Sequence, residues 1–561
     1  MTSATTVGDE KNLVHALRVQ AERLGHVPAV RWKRFGRYQD LSWSDYYEQV
    51  QECAAALVAA GAAVGDRIGL LSENRLEWLL ADMGIMAAGG VNVPPHAPLT
   101  AKQVQFQLAD AGVRWLFVST REQLDKIRQV RHELPELRKV IVFDRIAAGD
   151  EAVSWAGFLQ RGRTLLGEQR EQLRHREDGL HADSLATIMY TSGTTGNPKG
   201  VMLTHGNLLS NARATDAASP RPVDSVLFNW LPFSHIYART VDHYLSVIAG
   251  IPLCLAESVD TVVDNLGDIR PTHMSSVPRF YEKVLTAVQC GDEAETGRRL
   301  RNIFGPRIDW LGSGGAPLPV AIAEAFKRAG ILLLQGYGLT ECAPVISFNR
   351  KDSYKLETVG QAIPGVEIAI GPDGEVLTRG SHVMKGYWNN SQATAEAVRD
   401  GWLHTGDLGT LDADGFLTIT GRKKEVLVLS NGKKVVPNQL ECLLIADPCI
   451  DQAVVHGEGR NFLSALIVPH WENLARAMKE AGLSGDGVPA TLCGREDVRS
   501  FIACRIDCAL AELSPWEQVR KLVLLPRPFS VEAEELTVSL KMRRNVISER
   551  YREELDRLYA S

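Results

Sequence analysis

The feature that most constrains this chain is a repeated alternation of short apolar runs with helix-patterned segments. Arg67-Ile68-Gly69-Leu70-Leu71 has strand character, and Leu76 to Ala88 follows with helical spacing. Trp115 to Val118, Val140 to Phe143 and Ile331 to Leu334 are further short runs, the last closed by Gln335-Gly336. β-branched and aromatic runs of this length, separated by helices, suit parallel sheets, whose strands are buried on both faces. The predicted fold class is α/β. A chain of 561 residues has room for about three or four domain-sized units at roughly 100–200 residues each. With 45% hydrophobic and 23% charged residues it can close a core without disulfides or metals.

After about residue 365 the texture changes. Glu367 to Ile370, the turn Gly371-Pro372-Asp373-Gly374 and Glu375 to Thr378 predict a hairpin. Asp412-Ala413-Asp414-Gly415 before Phe416 to Ile419 predicts a second turn of the same kind. A small β region therefore follows the α/β body. From Arg422 onward, 20 basic and 20 acidic residues balance, so the net charge of −6 sits in the N-terminal part.

That mild acidity gives no reason to expect nucleic acid as a partner. The nine cysteines form no CxxC pair, which argues against a zinc site or a disulfide framework. Met1 to Lys11 is polar and lacks the pattern of a signal peptide, and no run of 18 apolar residues marks a membrane span. The expectation is a reduced, soluble, cytoplasmic protein.

The strongest local signal is Tyr190-Thr191-Ser192-Gly193-Thr194-Thr195-Gly196-Asn197-Pro198-Lys199-Gly200, directly after the apolar run Leu185 to Met189. Glycines let a backbone approach a ligand closely. Hydroxyls, exposed amides and the Lys199 charge suit phosphate oxygens. It is not a Walker A loop, because Lys199 lies between Pro198 and Gly200 instead of preceding Ser or Thr. Gly312-Ser313-Gly314-Gly315-Ala316-Pro317 and Gly336-Tyr337-Gly338-Leu339-Thr340-Glu341 begin like dinucleotide fingerprints but break at the sixth position. Taken alone, each is more often a tight turn than a site.

Together these segments resemble the adenylate-forming superfamily of acyl-CoA synthetases, peptide-synthetase adenylation domains and luciferases. The resemblance runs from about residue 30 to the end, with the motifs in the same order. It implies a large N-terminal body, residues 1–421, of two α/β subdomains plus a small β-barrel-like region, that binds ATP and the acyl substrate. A small mobile α+β domain, residues 422–561, follows. It implies that Thr191, Ser192, Gly193, Thr194, Thr195 and Lys199 grip phosphates. Gly314, Gly315 and Ala316 pack on the adenine, with Gln335, Gly336, Tyr337, Gly338 and Thr340 beside it. Thr191 and Glu341 become magnesium ligands, a role that suits hard oxygen donors. Asp407, in Leu403-His404-Thr405-Gly406-Asp407-Leu408-Gly409, becomes the acceptor for two ribose hydroxyls, with Arg422 close by.

Gly421-Arg422-Lys423-Lys424-Glu425 matches the hinge motif, with Lys424 as the hinge position. Leu536 to Arg544 resembles the last motif and makes Lys541 the catalytic lysine, although Leu540 stands where many members have Gly. Val426 to Leu429 and the turn Ser430-Asn431-Gly432-Lys433-Lys434 correspond to the lining of the pantetheine tunnel, with Asn431 and Lys434 departing from the common residues.

Trp230-Leu231-Pro232-Phe233-Ser234-His235-Ile236-Tyr237 resembles the aromatic motif beside the carboxylate, where His235 shapes the acyl channel. Val277-Pro278-Arg279-Phe280-Tyr281-Glu282-Lys283 looks most like long-chain fatty acid–CoA ligases. The implied partners are a fatty acid, ATP with Mg²⁺, and coenzyme A. An acyl carrier protein is the alternative acceptor; no obvious insertion between Arg422 and Glu441 argues for it. Peripheral association with the inner face of a membrane stays open, as does the oligomeric state.

Overall fold

The computed structural model describes residues 10–146, 152–191, 198–222, 224–530, 533–537 and 542–560. The chain separates into two compact units. One comprises Met1–Leu318, Ile322–Ala369 and Leu377–His404; the other comprises Pro319–Ala321, Ile370–Val376 and Thr405–Ser561.

The first unit is built on two large sheets. The nine-stranded sheet runs in the order Gln361–Ala362, Val345–Phe348, Leu333–Gly338, Trp310–Ser313, His273–Ser276, Leu227–Asn229, Leu253–Leu255, Pro28–Arg34, Arg37–Ser42. From Leu333–Gly338 to Pro28–Arg34 its neighbours are parallel. The eight-stranded sheet runs Gly386–Tyr387, Lys199–Thr204, Leu185–Thr191, Val91–Val93, Arg67–Leu71, Trp115–Val118, Lys139–Val142, Ala152–Ser154. It too is parallel except at the Lys199–Thr204 end. The α/β expectation holds, and the helices follow their local chemistry. Leu76–Ala87 is apolar nearly all round and almost wholly buried, as a core helix should be. Trp43–Ala59 starts where Ser42 Oγ accepts from Asp45 N at 3.1 Å.

Two expectations need correction. The β region is not barrel-like but an open five-stranded sheet in the order Val366–Ile370, Glu375–Gly380, Trp402–Leu411, Val398–Arg399, with Leu417–Arg422 added on Trp402–Leu411. The strand order has two free ends and does not return on itself. The run at Ile331 does not end at Gln335-Gly336 either: the strand is Leu333–Gly338 and continues through both glycines. Its antiparallel neighbour explains why. A Cβ on Gly338 would lie 2.0 Å from the Pro344 carbonyl oxygen, so only glycine permits this approach.

The second unit has its own core. Ile450–His456, Leu463–Pro469 and Val519–Leu524 form a three-stranded sheet packed by Pro437–Ile445, Trp471–Glu480 and Glu496–Ala509. Leu463–Pro469 is buried along its whole length. Leu427–Val428, inside the run Val426 to Leu429, pairs antiparallel with Lys434–Val435, so Lys434 lies in a strand and not in the turn the sequence suggests. No helix among the described residues is long and apolar enough to cross a membrane.

Candidate active site

In open parallel sheets, ligands gather beyond the carboxyl ends of the strands. Both glycine motifs of the first unit leave such ends. Trp310–Ser313 runs into Gly314-Gly315-Ala316, and its neighbour Leu333–Gly338 carries Gln335 to Gly338, with Ser313 registered opposite Gln335. The Gly314 position is set by contact: its N donates to Ser276 O at 3.1 Å, and a Cβ would meet Tyr237 Cζ at 3.0 Å. Tyr281, inside the Val277 to Lys283 segment, is fully buried and donates its hydroxyl to Gly312 O at 2.7 Å. That segment therefore supports the turn from beneath.

The phosphate-loop signature joins two antiparallel strands, whose last register pair is Thr191 with Lys199. Ser192, Gly193, Thr194 and Thr195 lie outside the described residues, as does Lys541. Lys199 Nζ sits 5.0 Å from the centroid of the Tyr387 ring, a cation–π contact. Tyr387 in turn donates its hydroxyl to Glu341 Oε1 at 2.9 Å. Burial, then the Glu341 charge, pushes the Tyr387 phenol far up, so it stays a proton donor. The loop lysine and the acidic residue of the second glycine motif are thus brought to one tyrosine. Tyr387 was not singled out from the sequence. Its place is set by an edge strand registered opposite Val201 just after the phosphate-loop signature, a long-range pairing that no spacing announces.

The second unit holds Asp407, Arg422 and Lys424. Asp407 and Arg422 are register partners, and Arg422 Nε lies 2.8 Å from Asp407 Oδ1. The Asp407 side chain is nearly buried while Arg422 is half-exposed. Gly406 N donates to Glu375 Oε1 at 2.9 Å, which fixes the turn before Asp407. Lys424 is exposed in the single turn Lys423–Glu425, next to Lys423, whose Nζ lies 3.1 Å from Glu375 Oε2.

Comparison with known proteins gives the family and the fold. Residues 17–388 match the AMP-binding enzyme family, and residues 424–561 match the AMP-binding enzyme C-terminal domain. The chain belongs to the AMP-binding enzyme family. It is 32% identical to the long-chain-fatty-acid–CoA ligase FadD15 of Mycobacterium bovis, over 99% of this chain and 98% of the relative. It is 29% identical to the long-chain-fatty-acid–CoA ligase ACSBG2 of Rattus norvegicus, over 96% and 92% respectively. Among solved structures, the anthranilate CoA ligase AuaEII in complex with anthranoyl-AMP superposes with a TM-score of 0.79 at 20% identity, covering 99% of this chain and all of that one. ATP-bound MatB from Rhodopseudomonas palustris gives 0.73 at 23% identity, covering 97% and 99%. These two likenesses are of fold.

In this AMP-binding enzyme a buried polar floor lies beside the aromatic motif. His235 Nδ1 caps the short helix Ile236–Ala238 by accepting from Tyr237 N at 3.2 Å. Its ring stacks at 6.3 Å on His96, whose Nδ1 lies 2.7 Å from Ser234 Oγ. Burial lowers the His96 pKa to about 4, so the imidazole is neutral. Asn74 Nδ2 donates to Asn229 Oδ1 and Asn229 Nδ2 to Asp242 Oδ2, both at 2.8 Å. Burial raises Asp242 to about 7 despite that hydrogen bond. None of His96, Asn74, Asn229 or Asp242 belongs to a motif, and no spacing pointed to them.

Among the described residues no group of three or more His, Cys, Asp or Glu side chains could hold a metal by itself. Glu341 is a half-buried carboxylate with one oxygen engaged by Tyr387. One carboxylate and one hydroxyl suit Mg²⁺, which keeps waters and is completed by substrate phosphates instead of a protein cage.

Proposed function

We propose that this enzyme activates a long-chain fatty acid with ATP, releasing pyrophosphate, and transfers the acyl group from acyl-AMP to coenzyme A. The observation that carries the reading is the convergence of Lys199, Tyr387 and Glu341 beside the glycine strand ends, within a chain similar over nearly its whole length to long-chain-fatty-acid–CoA ligases.

A carboxylate resists nucleophiles because of its charge. Coupling it to AMP makes a mixed anhydride with a good leaving group. In the first step a carboxylate oxygen attacks the α-phosphorus and the bond to pyrophosphate breaks. In the second, the thiol attacks the acyl carbonyl, loses its proton, and AMP leaves. Lys199 and the phosphate loop hold the polyphosphate. Thr191 and Glu341 would hold Mg²⁺, which when bound neutralises phosphate charge. Asp407 accepts from the ribose hydroxyls while Arg422 keeps its carboxylate oriented. His235, backed by His96 and Ser234, shapes the acyl channel. Lys541 stabilises the charge that builds between the α-phosphate and the incoming carboxylate. Residues 422–561 act as the moving domain, with Lys424 as hinge, so that Lys541 serves the first step and the Ser430 to Lys434 turn the second.

The test is pyrophosphate release with ATP, Mg²⁺ and acids from acetate to oleate, followed by addition of CoA or an acyl carrier protein. Release with long-chain acids and thioester on CoA is expected. No pyrophosphate with any fatty acid overturns the reading; thioester on the carrier protein alone replaces the acceptor.

A further inference from the structure

The aromatic segment Trp230 to Tyr237 follows the strand Leu227–Asn229 of the nine-stranded sheet and runs into a helix that changes pitch. Ile236–Ala238 is α-helical, Arg239–Tyr244 is a π turn, and Leu245–Ala249 is α-helical again. A π turn inside an α-helix is rare and is frequent at functional sites. All six residues of this one are buried, Arg239, Asp242 and His243 among them.

Arg239 is the hub of a closed polar ring. Neither its side chain nor that of Asp82 is exposed. Its Nε donates to Asp82 Oδ2 at 3.3 Å and its Nη2 to Asp82 Oδ1 at 2.5 Å. Its Nη1 donates to Thr187 Oγ1 at 2.8 Å. Thr187 Oγ1 donates onward to Asn92 O at 2.8 Å, and Asn92 Nδ2 returns to Asp82 Oδ1 at 2.6 Å. Tyr244 adds its hydroxyl to Asp82 Oδ2 at 2.9 Å. One guanidinium therefore joins the helix of the aromatic motif to the core helix Leu76–Ala87, through Asp82, and to the strand Leu185–Thr191 of the eight-stranded sheet, through Thr187. Two predicted site residues lie a short step from this ring. Arg239 N donates back to His235 O at 3.2 Å, and Thr191 ends the strand that carries Thr187.

A buried ion pair adds little net stability, because desolvation offsets most of its attraction. A planar guanidinium does impose a fixed fork, and here the fork spans elements of both large sheets. Adenylation joins two substrates, and a misplacement of about 1 Å can cost roughly 10²-fold in rate. We propose that Arg239 is a positioning residue: through Asp82 and Thr187 it sets the His235 end of the acyl channel against the Thr191 end of its strand, so that the fatty carboxylate meets the α-phosphorus at attack distance. This rests on the roles given to His235 and Thr191 above. All three side-chain nitrogens of Arg239 are engaged inside the protein, so it acts through other residues and not on substrate.

The proposal predicts an asymmetry between the half-reactions. Pyrophosphate release from oleate and ATP needs two substrates aligned, whereas thioester formation from supplied oleoyl-AMP and CoA starts with acyl group and nucleotide already joined. Both are measured in the full chain, with thermal unfolding of each variant. Thr187→Val keeps the volume and removes the hydroxyl. Its kcat for adenylation should fall about tenfold, with KM for ATP and the thioester step each within about twofold of the parent. Thr187→Ser keeps the hydroxyl and loses a buried methyl, so its Tm should fall while adenylation stays within about twofold. Arg239→Lys cannot fork onto Asp82 and reach Thr187 at once, and should show the same selective loss of kcat as Thr187→Val. Full adenylation in Thr187→Val, equal loss of both half-reactions, or losses that follow Tm instead of the hydroxyl overturn the positioning role. A parent enzyme that releases no pyrophosphate with oleate brings down the reading of function instead.

Discussion

The two regions that carry the predicted residues are built in different ways. In the first unit the site rests on strand ends, and its shape is enforced by close packing at glycines: Gly338 against the Pro344 carbonyl, Gly314 against the Tyr237 ring. In the second unit Leu536 and Met542 pack on an apolar cluster and are flanked by charged side chains, Glu535 with Arg527 and Arg550, Arg544 with Glu441 and Glu425.

That contrast can be broken by experiment. The largest effect is expected for Lys541→Ala: adenylation should fall by roughly 10²–10³, or about 2.7–4 kcal/mol, while thioester formation from supplied acyl-AMP persists. Loss of both steps alike would remove the contrast. Gly338→Ala should behave in the opposite manner. Its Cβ has no room, so a cost of about 1–3 kcal/mol or more appears as a lower Tm, and both half-reactions decline together. An unchanged Tm would show that the strand end tolerates movement.

Tyr387→Phe is a milder probe of the first unit. It removes one donor to Glu341, worth about 0.5–1.5 kcal/mol to the fold, and should raise KM for ATP–Mg²⁺ a few-fold with only a small fall in Tm. No change would separate Glu341 from the tyrosine.

The smallest effect concerns the buried floor. Asp242 keeps its proton up to about pH 7 in the folded state, whereas the exposed carboxyl of the unfolded chain sheds it near 3.8. Between those values the folded state binds more protons, so this group's contribution to stability declines as pH rises. Asp242→Asn cannot ionise. Its Tm relative to the parent should climb as pH goes from about 4 to 7 and level off above, by a few degrees at most. A difference that does not vary with pH would place the proton elsewhere.

Much of this was legible in sequence because it depends on local pattern. The short apolar runs became parallel strands, and Gly314-Gly315-Ala316 follows directly on the strand Trp310–Ser313. Long-range placement was not legible. Tyr387 meets Glu341 across 46 residues, through the register of an edge strand on Lys199–Thr204. His96 meets Ser234 across 138 residues. Neither pairing leaves a trace in spacing. The glycines at 336 and 338 misled for a related reason: they look like a turn, yet they stand inside a strand because of what packs against it.

The central claim is that one chain makes an acyl-adenylate and then spends it on a thiol. The most direct measurement is a time-resolved mass analysis of the enzyme mixed with oleate, ATP and Mg²⁺, before and after CoA is added. Oleoyl-AMP and pyrophosphate should appear first, and on CoA addition oleoyl-CoA and AMP should rise together as the adenylate disappears. Oleoyl-CoA formed with ADP and phosphate, or with no adenylate preceding it, would contradict the account.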